Sequence, residues 1–399
     1  MPGFELIGKE ERAAVNQIFD DGGVLFAHAF DNLRNGRYRV REFEKAFAEH
    51  MGVSYAQAVS SGTAAIKVAL IAMGVKPGDE VITQAFTFVA TVEAIVDTGA
   101  KPVLVNIDET LNMDPNELEE AITPRTKVIL PVHMLGVAAE MDPIIKIARR
   151  HNLSVLEDNC ESLGASWNGK ALGTQGDACA FSFDFGKTIT TGEGGMVTTD
   201  NEEIYKITRE YHDHGHENNP ILPRGHDTRR IPGFNYRMTE LQAAVGLVQL
   251  TKLDYIVERN HAIFAVPQEA LSQIEGIKFR KVPLNCRPLC DCLVFELPSK
   301  DLANEFTKRM AQKNLATKNL PDALEWHFAG FWNHIFSAYG MSKKELWQHT
   351  SPSYERLARC IAIPIMVKHT PERAREIGEE LKDIAKKLLS QAQYQGSNG

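Results

Sequence analysis

Apolar runs rich in β-branched residues alternate with amphipathic helical patterns along the first two-thirds of the chain. The strand runs are continuous, as in a parallel sheet whose two faces are both covered by helices. Gly or Pro marks the joints between elements. The order predicts an α/β fold with a mostly parallel central sheet. The predicted strands are "DEVITQ", "KPVLVNI", "KVILPVHM" and "LSVLED", and the predicted helices are "GTAAIKVALIAMG", "TFVATVEAIVDTG", "PNELEEAI" and "DPIIKIARRHN".

The pattern changes after residue 180. Two neighbouring strands, "ACAFSF" and "GGMVTTD", precede a loop from about Tyr211 to Pro232 that is rich in His, Asn, Pro and Arg. A long helical pattern begins at "MTELQAAVGLVQL" and leads out of the large domain. Strands such as "CLVFELP" and helices such as "KDLANEFTKRMAQKN" follow. We therefore predict a large domain over residues 1–254 and a smaller C-terminal α+β domain over residues 255–399.

Composition narrows the class of protein. The 399 residues are 43% hydrophobic and 24% charged, which is typical of a globular domain, and the net charge of -8 argues against a nucleic-acid partner. The sequence shows neither a signal-peptide pattern nor an apolar run that could cross a membrane, so a cytoplasmic location without a membrane partner is expected. Six cysteines are too few for a disulfide framework. Three of them lack the paired C-x-x-C spacing of zinc sites, so we predict packed thiols and no metal at Cys286, Cys290 and Cys292.

The first candidate for chemistry is "AVSSGTAAIKVAL", in which Ser60-Ser61-Gly62-Thr63 precedes a helix. Backbone N–H groups and hydroxyls at a helix N-terminus can bind an anion such as a phosphate. Simple N-capping by a hydroxyl residue explains the same letters equally well. The spacing of a P-loop is absent.

The second candidate is "SVLEDNCESLGA", where Asp158 ends an apolar strand. A buried carboxylate is costly unless a cation meets it, and a protonated heterocyclic nitrogen is one such cation. The alternative is an Asp that caps the next helix. The preceding Glu157 is expected at the solvated edge of the sheet.

The third candidate is "AFSFDFGKTITTGEGGM", in which Ser182 ends a strand and Lys187 lies in the following turn. A buried lysine amine can form a Schiff base, although most lysines are simply solvated. The ligands of open α/β sheets bind at the carboxyl ends of the strands. An anion site, an acid and an amine on one sheet edge are together what a pyridoxal phosphate site requires.

Six ordered motifs now make the chain resemble a known family. It is similar over almost its whole length to the sugar aminotransferases of the DegT/StrS type. The resemblance implies the aspartate aminotransferase-like fold type I of pyridoxal phosphate enzymes. The motifs are "SSGTAAI", "QAFTFVATVEAI", "LPVHMLGVAAEMDPI", "LEDNCESLGA", "FSFDFGKTITTGEGGM" and "GFNYRMTELQAAVGLVQL".

The resemblance implies a role for each matching residue. Lys187 would hold pyridoxal 5'-phosphate as a Schiff base and act as general acid–base, and Asp158 would keep the pyridinium nitrogen protonated. Phe88 would stack on the cofactor ring. Glu161 stands where the family often has Gln near the 3-hydroxyl of the ring, a contact that requires a protonated or turned-away carboxyl.

The resemblance also implies how the cofactor phosphate is bound. Gly62, Thr63 and Ser182 would bind it in one protomer, joined by Asn235 from the neighbouring subunit. The protein would then be a homodimer with composite active sites. No residue is expected to bind a metal, because the period-two spacing of His212, His214 and His216 would need a strand that the Gly and Pro content disfavours.

The implied reaction moves an amino group from L-glutamate, which becomes 2-oxoglutarate, to a keto or aldehyde sugar. The chain most resembles the branch that makes 8-amino-3,8-dideoxy-D-manno-octulosonate for lipopolysaccharide biosynthesis. The alternative acceptor is a nucleotide-linked 4-keto-hexose. Arg224, Arg229 and Arg230 could bind the anionic group of either substrate, or could belong to a solvated loop. A cofactor-binding regulator and a metal-dependent hydrolase are the other classes that a spectrum and a metal analysis would separate.

Overall fold

The computed structural model describes residues 3–219, 221–222 and 226–396. The strands of this part of the chain are mostly short. They are β1 Tyr55–Val59, β2 Glu80–Gln84, β3 Lys101–Val105, β4 Thr126–Leu130, β5 Ser154–Asp158, β6 Ser166–Trp167, β7 Lys170–Ala171, β8 Ala178–Ser182, β9 Gly195–Thr199, β10 Lys278–Phe279, β11 Cys286–Arg287, β12 Cys292–Glu296 and β13 Cys360–Pro364.

The α-helices surround these strands, and short 3₁₀ turns join several of them. The α-helices are α1 Lys9–Asp20, α2 Arg39–Met51, α3 Gly62–Ala72, α4 Val89–Asp97, α5 Leu118–Ala121, α6 Met141–Arg150, α7 Glu202–Tyr211, α8 Glu240–Thr251, α9 Leu253–Ser272, α10 Lys300–Gln312, α11 Leu324–His327, α12 Asn333–Phe336, α13 Lys343–Leu357 and α14 Pro371–Gly396.

The central sheet has seven strands in the order β1-β9-β8-β5-β4-β2-β3. All of its pairs are parallel except those of β9, which runs antiparallel to both β1 and β8. Strands β1, β5 and β8 therefore point the same way, so their carboxyl ends lie at one edge of the sheet. The predicted α/β architecture with a mostly parallel sheet is confirmed.

Most of the predicted elements are present, and two differ in extent. The long helical pattern after Met238 forms two helices, α8 and α9, which meet at Lys252. The pattern "PNELEEAI" forms a 3₁₀ turn and only four α-helical residues, because Ile122 already has extended backbone. Helix α9 packs against α14.

The residues after 254 contain a second sheet, β10-β12-β13, which is antiparallel. Its apolar face packs with α9, α10 and α14 in a core that includes Phe295, Phe306 and Leu381. The same part of the chain also contacts elements that precede residue 254, because β11 pairs with β6 and Trp332 packs against α4. The boundary at 254/255 stays a prediction, and this close packing brings C-terminal side chains to the edge of the central sheet.

Among the described residues, no helix is both long enough and apolar enough to span a lipid bilayer.

Candidate active site

The three candidate motifs meet at the carboxyl edge of the central sheet. Strand β1 leads into Gly62 at the start of α3, β5 ends at Asp158, and β8 ends at Ser182. The side chain of Ser61 caps α3 by accepting a hydrogen bond from the N–H of Ala64 at 3.1 Å. The N–H groups of Gly62 and Thr63 have no acceptor in the described part of the chain, which leaves the helix N-terminus free to bind an anion. The capping and anion-binding interpretations are therefore compatible.

Gly62 lies where no side chain would fit. A Cβ added there would stand 2.7 Å from the Cβ of Ser182 and 3.1 Å from the sulfur of Cys160. The first turn of α3 therefore packs directly on the ends of β5 and β8. This close approach brings the hydroxyl of Ser182 next to the free N–H groups of Gly62 and Thr63, and together these donors fit a phosphate.

Asp158 is 2% exposed, and two groups hold its carboxylate. Its Oδ2 accepts a hydrogen bond from the hydroxyl of Thr91 at 2.8 Å, and its Oδ1 accepts one from the N–H of Cys160 at 3.1 Å. These neutral donors fix its orientation without neutralising its charge. A cationic ring nitrogen would complete this site, since a buried carboxylate is stabilised most by an opposite charge.

Lys187 lies in the turn after β8, with its Nζ 3.6 Å from Oε1 of Glu161. The other oxygen of Glu161 accepts a hydrogen bond from the N–H of Leu135 at 3.3 Å. Burial alone would raise the pKa of Glu161, but the positive charges of Lys187 and Lys318 outweigh it and lower the pKa to about 2. Glu161 is therefore ionised and paired with the candidate catalytic amine. Its place near the 3-hydroxyl of the cofactor ring stays a prediction.

Phe88 begins the helix that also carries Thr91, so one element positions both the aromatic ring and the donor to Asp158. The ring of Phe88 is 42% exposed and lies 5.3 Å from the imidazole of His327, at an interplanar angle of 46°. This exposed face, next to the site of Lys187 and Asp158, is open to a flat ligand.

Asn235 is the one predicted site residue that lies apart in the protomer. It is exposed, and its side chain accepts a hydrogen bond from the N–H of Arg237 at 3.4 Å. Within the described ranges, no hydrogen bond or ion pair links it to the other seven predicted residues. The backbone carbonyl of its neighbour Tyr236 accepts a hydrogen bond from the N–H of Ser60 at 2.8 Å. The segment that contains Asn235 is therefore attached to the residues just before α3, at the edge of the site.

In the loop that contains the histidines and arginines, arginine side chains pair with carboxylates of the loop and of α7. Arg229 pairs with Asp227 at 3.8 Å, and Arg230 pairs with Glu210 and with Glu217. Arg224 lies outside the described residues. His212 bonds to the carbonyl of Arg209 at 2.7 Å. Wherever the structure describes the chain, no three His, Cys, Asp or Glu side chains converge as metal ligands would.

The donor set as a whole fits pyridoxal phosphate. A buried carboxylate suits a protonated ring nitrogen, an amine suits an aldehyde, a helix N-terminus suits a phosphate and an exposed aromatic face suits the ring. The space that a Cβ at Gly62 would fill lies among the proposed phosphate donors.

Comparison with known proteins gives the same result. The sequence matches the DegT/DnrJ/EryC1/StrS aminotransferase family over residues 9–382. The chain belongs to this family. As a member, it is a sugar aminotransferase that depends on pyridoxal 5'-phosphate. The predictions of enzyme class, cofactor and fold type I are thereby confirmed.

Individual relatives of this aminotransferase carry more detailed names. A GDP-perosamine synthase from Caulobacter vibrioides is 49% identical over 225 residues, which are 55% of this chain and 58% of that protein. A GDP-perosamine synthase from Escherichia coli O157:H7 is 41% identical over 270 residues, 67% of this chain and 70% of that protein. The crystal structure of 3-amino-5-hydroxybenzoic acid synthase superposes with a TM-score of 0.83 at 28% identity, covering 96% of this chain and 97% of that one.

Several residues of this aminotransferase site were not found from the sequence. Thr91 lies in the same motif as Phe88, but nothing in that motif marks it as a partner of Asp158. Lys318 and His327 come from a distant part of the chain and carry no local motif. Glu157 was expected at the solvated edge, and that prediction is wrong. It is 0% exposed and accepts hydrogen bonds from the N–H groups of Gln175 and Gly176 at 2.8 and 2.7 Å, with His133 Nε2 at 3.0 Å. Its position directly before Asp158 at the end of a buried strand was the available signal.

Proposed function

We propose that this aminotransferase moves an amino group from L-glutamate to a keto-hexose that is linked to a nucleotide. Two of the relatives above are named GDP-perosamine synthases, and that name supports a nucleotide-linked sugar. The octulosonate predicted from the sequence rested on resemblance alone and remains the second candidate. The role in lipopolysaccharide biosynthesis that was predicted together with the octulosonate also stays a prediction.

The observation that carries the proposal is the convergence of three groups at one sheet edge. They are the buried carboxylate of Asp158, the amine of Lys187 and the free N-terminus of α3 at Gly62. Pyridoxal phosphate, when bound, supplies an electron sink for the carbon next to the transferred nitrogen. Asp158 holds a proton on the ring nitrogen, and Lys187 holds the cofactor through Nζ.

The remaining predicted residues orient the cofactor. The N–H groups of Gly62 and Thr63 and the hydroxyl of Ser182 bind its phosphate. Phe88 covers one face of the ring, on the side where its own face is exposed. Before the cofactor binds, Glu161 keeps its negative charge beside Lys187 and so holds the ammonium group of Lys187 in place.

Proton transfer falls to Lys187. Once the amino donor has bound, the freed Nζ would take the proton from the α-carbon of the donor and deliver it to the cofactor carbon that carries the transferred nitrogen, as a general acid–base. The side chain of Lys187 is 18% exposed, so most of it is held by the surrounding structure. No other lysine amine within the described residues lies within ion-pair distance of Glu161.

We propose further that the active unit is a homodimer in which the partner subunit's Asn235 completes the phosphate site. Asn235 is exposed in the protomer, and the adjacent Phe234 is 51% exposed, which is unusual for a large apolar side chain. Mixing Lys187→Ala protomers with Asn235→Ala protomers should restore part of the activity, because one site of the mixed dimer then carries both residues. If the mixture is no more active than either parent, shared sites are excluded.

The acceptor is tested in a single-turnover experiment. The protein is first converted to its amine form with L-glutamate and freed of 2-oxoglutarate. It is then mixed with a GDP-linked 4-keto-6-deoxyhexose or with the C8-oxidised octulosonate. Return of the aldehyde absorbance with the nucleotide-linked sugar is the expected result. Return with the octulosonate alone would overturn the proposal and favour the second candidate.

A further inference from the structure

The segment from Lys318 to Phe328 belongs to the C-terminal part of the chain, yet it forms a wall of the candidate site. The carbonyl of His327 accepts a hydrogen bond from the N–H of Thr87 at 3.0 Å, and the N–H of Ala329 donates to the carbonyl of Ala85 at 2.9 Å. These bonds fix His327 against the residues that lead into Phe88. The backbone at His327 is therefore held in place next to Phe88.

The hydrogen bonds of His327 determine its tautomer. Its Nδ1 lies 2.8 Å from the carbonyl oxygen of Ala323. A carbonyl only accepts, so Nδ1 must carry the proton, and in the neutral ring Nε2 then keeps its lone pair. None of the hydrogen bonds found among the described residues involves Nε2. The residue is 8% exposed, so some of it remains accessible.

Charged groups surround the imidazole. Burial lowers the pKa of His327, the charge of Glu161 raises it, and the charges of Lys187 and Lys318 lower it further. Lys318 is itself buried and paired with Asp291 at 2.5 Å. The net effect is a neutral ring near pH 7, whose free Nε2 is a hydrogen-bond acceptor.

We propose that Nε2 of His327 accepts a hydrogen bond from a hydroxyl group of the acceptor sugar and so determines specificity for that substrate. This inference rests on the proposed function. The carboxylates of the amino donor L-glutamate only accept hydrogen bonds and cannot donate to Nε2, and its nitrogen is the group that is transferred. A sugar offers hydroxyl groups, which can donate to a neutral imidazole.

Two variants separate the contact from a structural role. In His327→Asn the side-chain amide can still donate to the carbonyl of Ala323, but nothing replaces Nε2. In His327→Gln the longer amide can bring its oxygen to the position of Nε2. Circular dichroism and cofactor loading of both variants show whether the site is intact before binding is measured.

The measurement is an absorbance titration of the cofactor-loaded protein with GDP-perosamine, with GDP added as a competitor to give its own Kd. We expect the Kd for GDP-perosamine to rise about tenfold in His327→Asn, the loss of one hydrogen bond. The Kd for GDP should be the same in both proteins, and His327→Gln should recover most of the loss.

Four results would overturn the inference. An unchanged Kd for GDP-perosamine in His327→Asn would show that Nε2 makes no contact with the sugar. An equal loss for GDP and GDP-perosamine, or a matching rise in the L-glutamate concentration that half-saturates conversion, would show a general structural effect. If the wild-type protein binds GDP but gives no absorbance change with GDP-perosamine, the proposed function itself fails and the inference falls with it.

Discussion

The charge of Glu161 can be tested by a substitution whose energetic effect follows from the structure. Its side chain is 10% exposed, and its pKa is lowered from 4.5 to about 2 because Lys187 and Lys318 outweigh the cost of burial. A shift of this size corresponds to about 3 kcal/mol in favour of the ionised form, at about 1.4 kcal/mol per pKa unit. Because Gln resembles the protonated acid, Glu161→Gln should lower the free energy of unfolding of the cofactor-free protein by about 3 kcal/mol at pH 7.

The pH dependence follows from the direction of the shift. A carboxyl whose pKa is lower in the folded state contributes stability above its unfolded pKa of 4.5 and loses it as the pH falls through about 2. The difference between wild type and Glu161→Gln should therefore be constant from pH 7 to about pH 5.5. It should decrease by about half near pH 3.

The assay is urea unfolding of the cofactor-free protein at a fixed protein concentration, followed by circular dichroism between pH 3 and pH 7. The exposed Glu325 is a matched control, since no ion pair of the described residues includes its side chain. Glu325→Gln should change the stability by less than about 0.5 kcal/mol. If Glu161→Gln unfolds at the same urea concentration as wild type at pH 7, Glu161 is not held as a charged partner of Lys187.

Three further single substitutions and one double variant test the rest of the site. Gly62→Ala should weaken pyridoxal phosphate binding at least tenfold in an absorbance titration, because the new Cβ would stand 2.7 Å from Ser182 Cβ. Thr91→Val should lower the free energy of unfolding of the cofactor-free protein by about 1.5–3 kcal/mol, the value of a hydrogen bond to a charged group. Lys318→Met should cost about 3–5 kcal/mol in urea unfolding, because it leaves the buried Asp291 without its cation. Adding Asp291→Asn should recover most of that loss, and a double variant as unstable as Lys318→Met would contradict the pairing.

Local sequence predicts the parts of the site that lie at the ends of strands. Asp158, Ser182 and Gly62 each stand where an apolar run meets a polar or helical stretch, so a parallel sheet brings them to one edge. Lys187 follows β8 at short range, and the glycines around it mark a turn. These residues needed no knowledge of contacts between distant segments.

Long-range contacts explain what the sequence could not predict. Thr91 reaches Asp158 only because the first turn of α4 lies near the end of β5, a contact that its motif does not reveal. Lys318 and His327 come from the C-terminal part, whose packing on the large sheet has no sequence pattern. The ionised state of Glu161 depends on these distant cations, so the sequence alone could not decide it.

The central claim is that Nζ of Lys187 holds the cofactor. The most direct measurement is borohydride reduction of the yellow, cofactor-loaded protein, followed by peptide mass spectrometry. We expect a reduced pyridoxyl group on the peptide that contains Lys187 and on no other. Modification of a different lysine, or a yellow protein in which no lysine is modified, would contradict it.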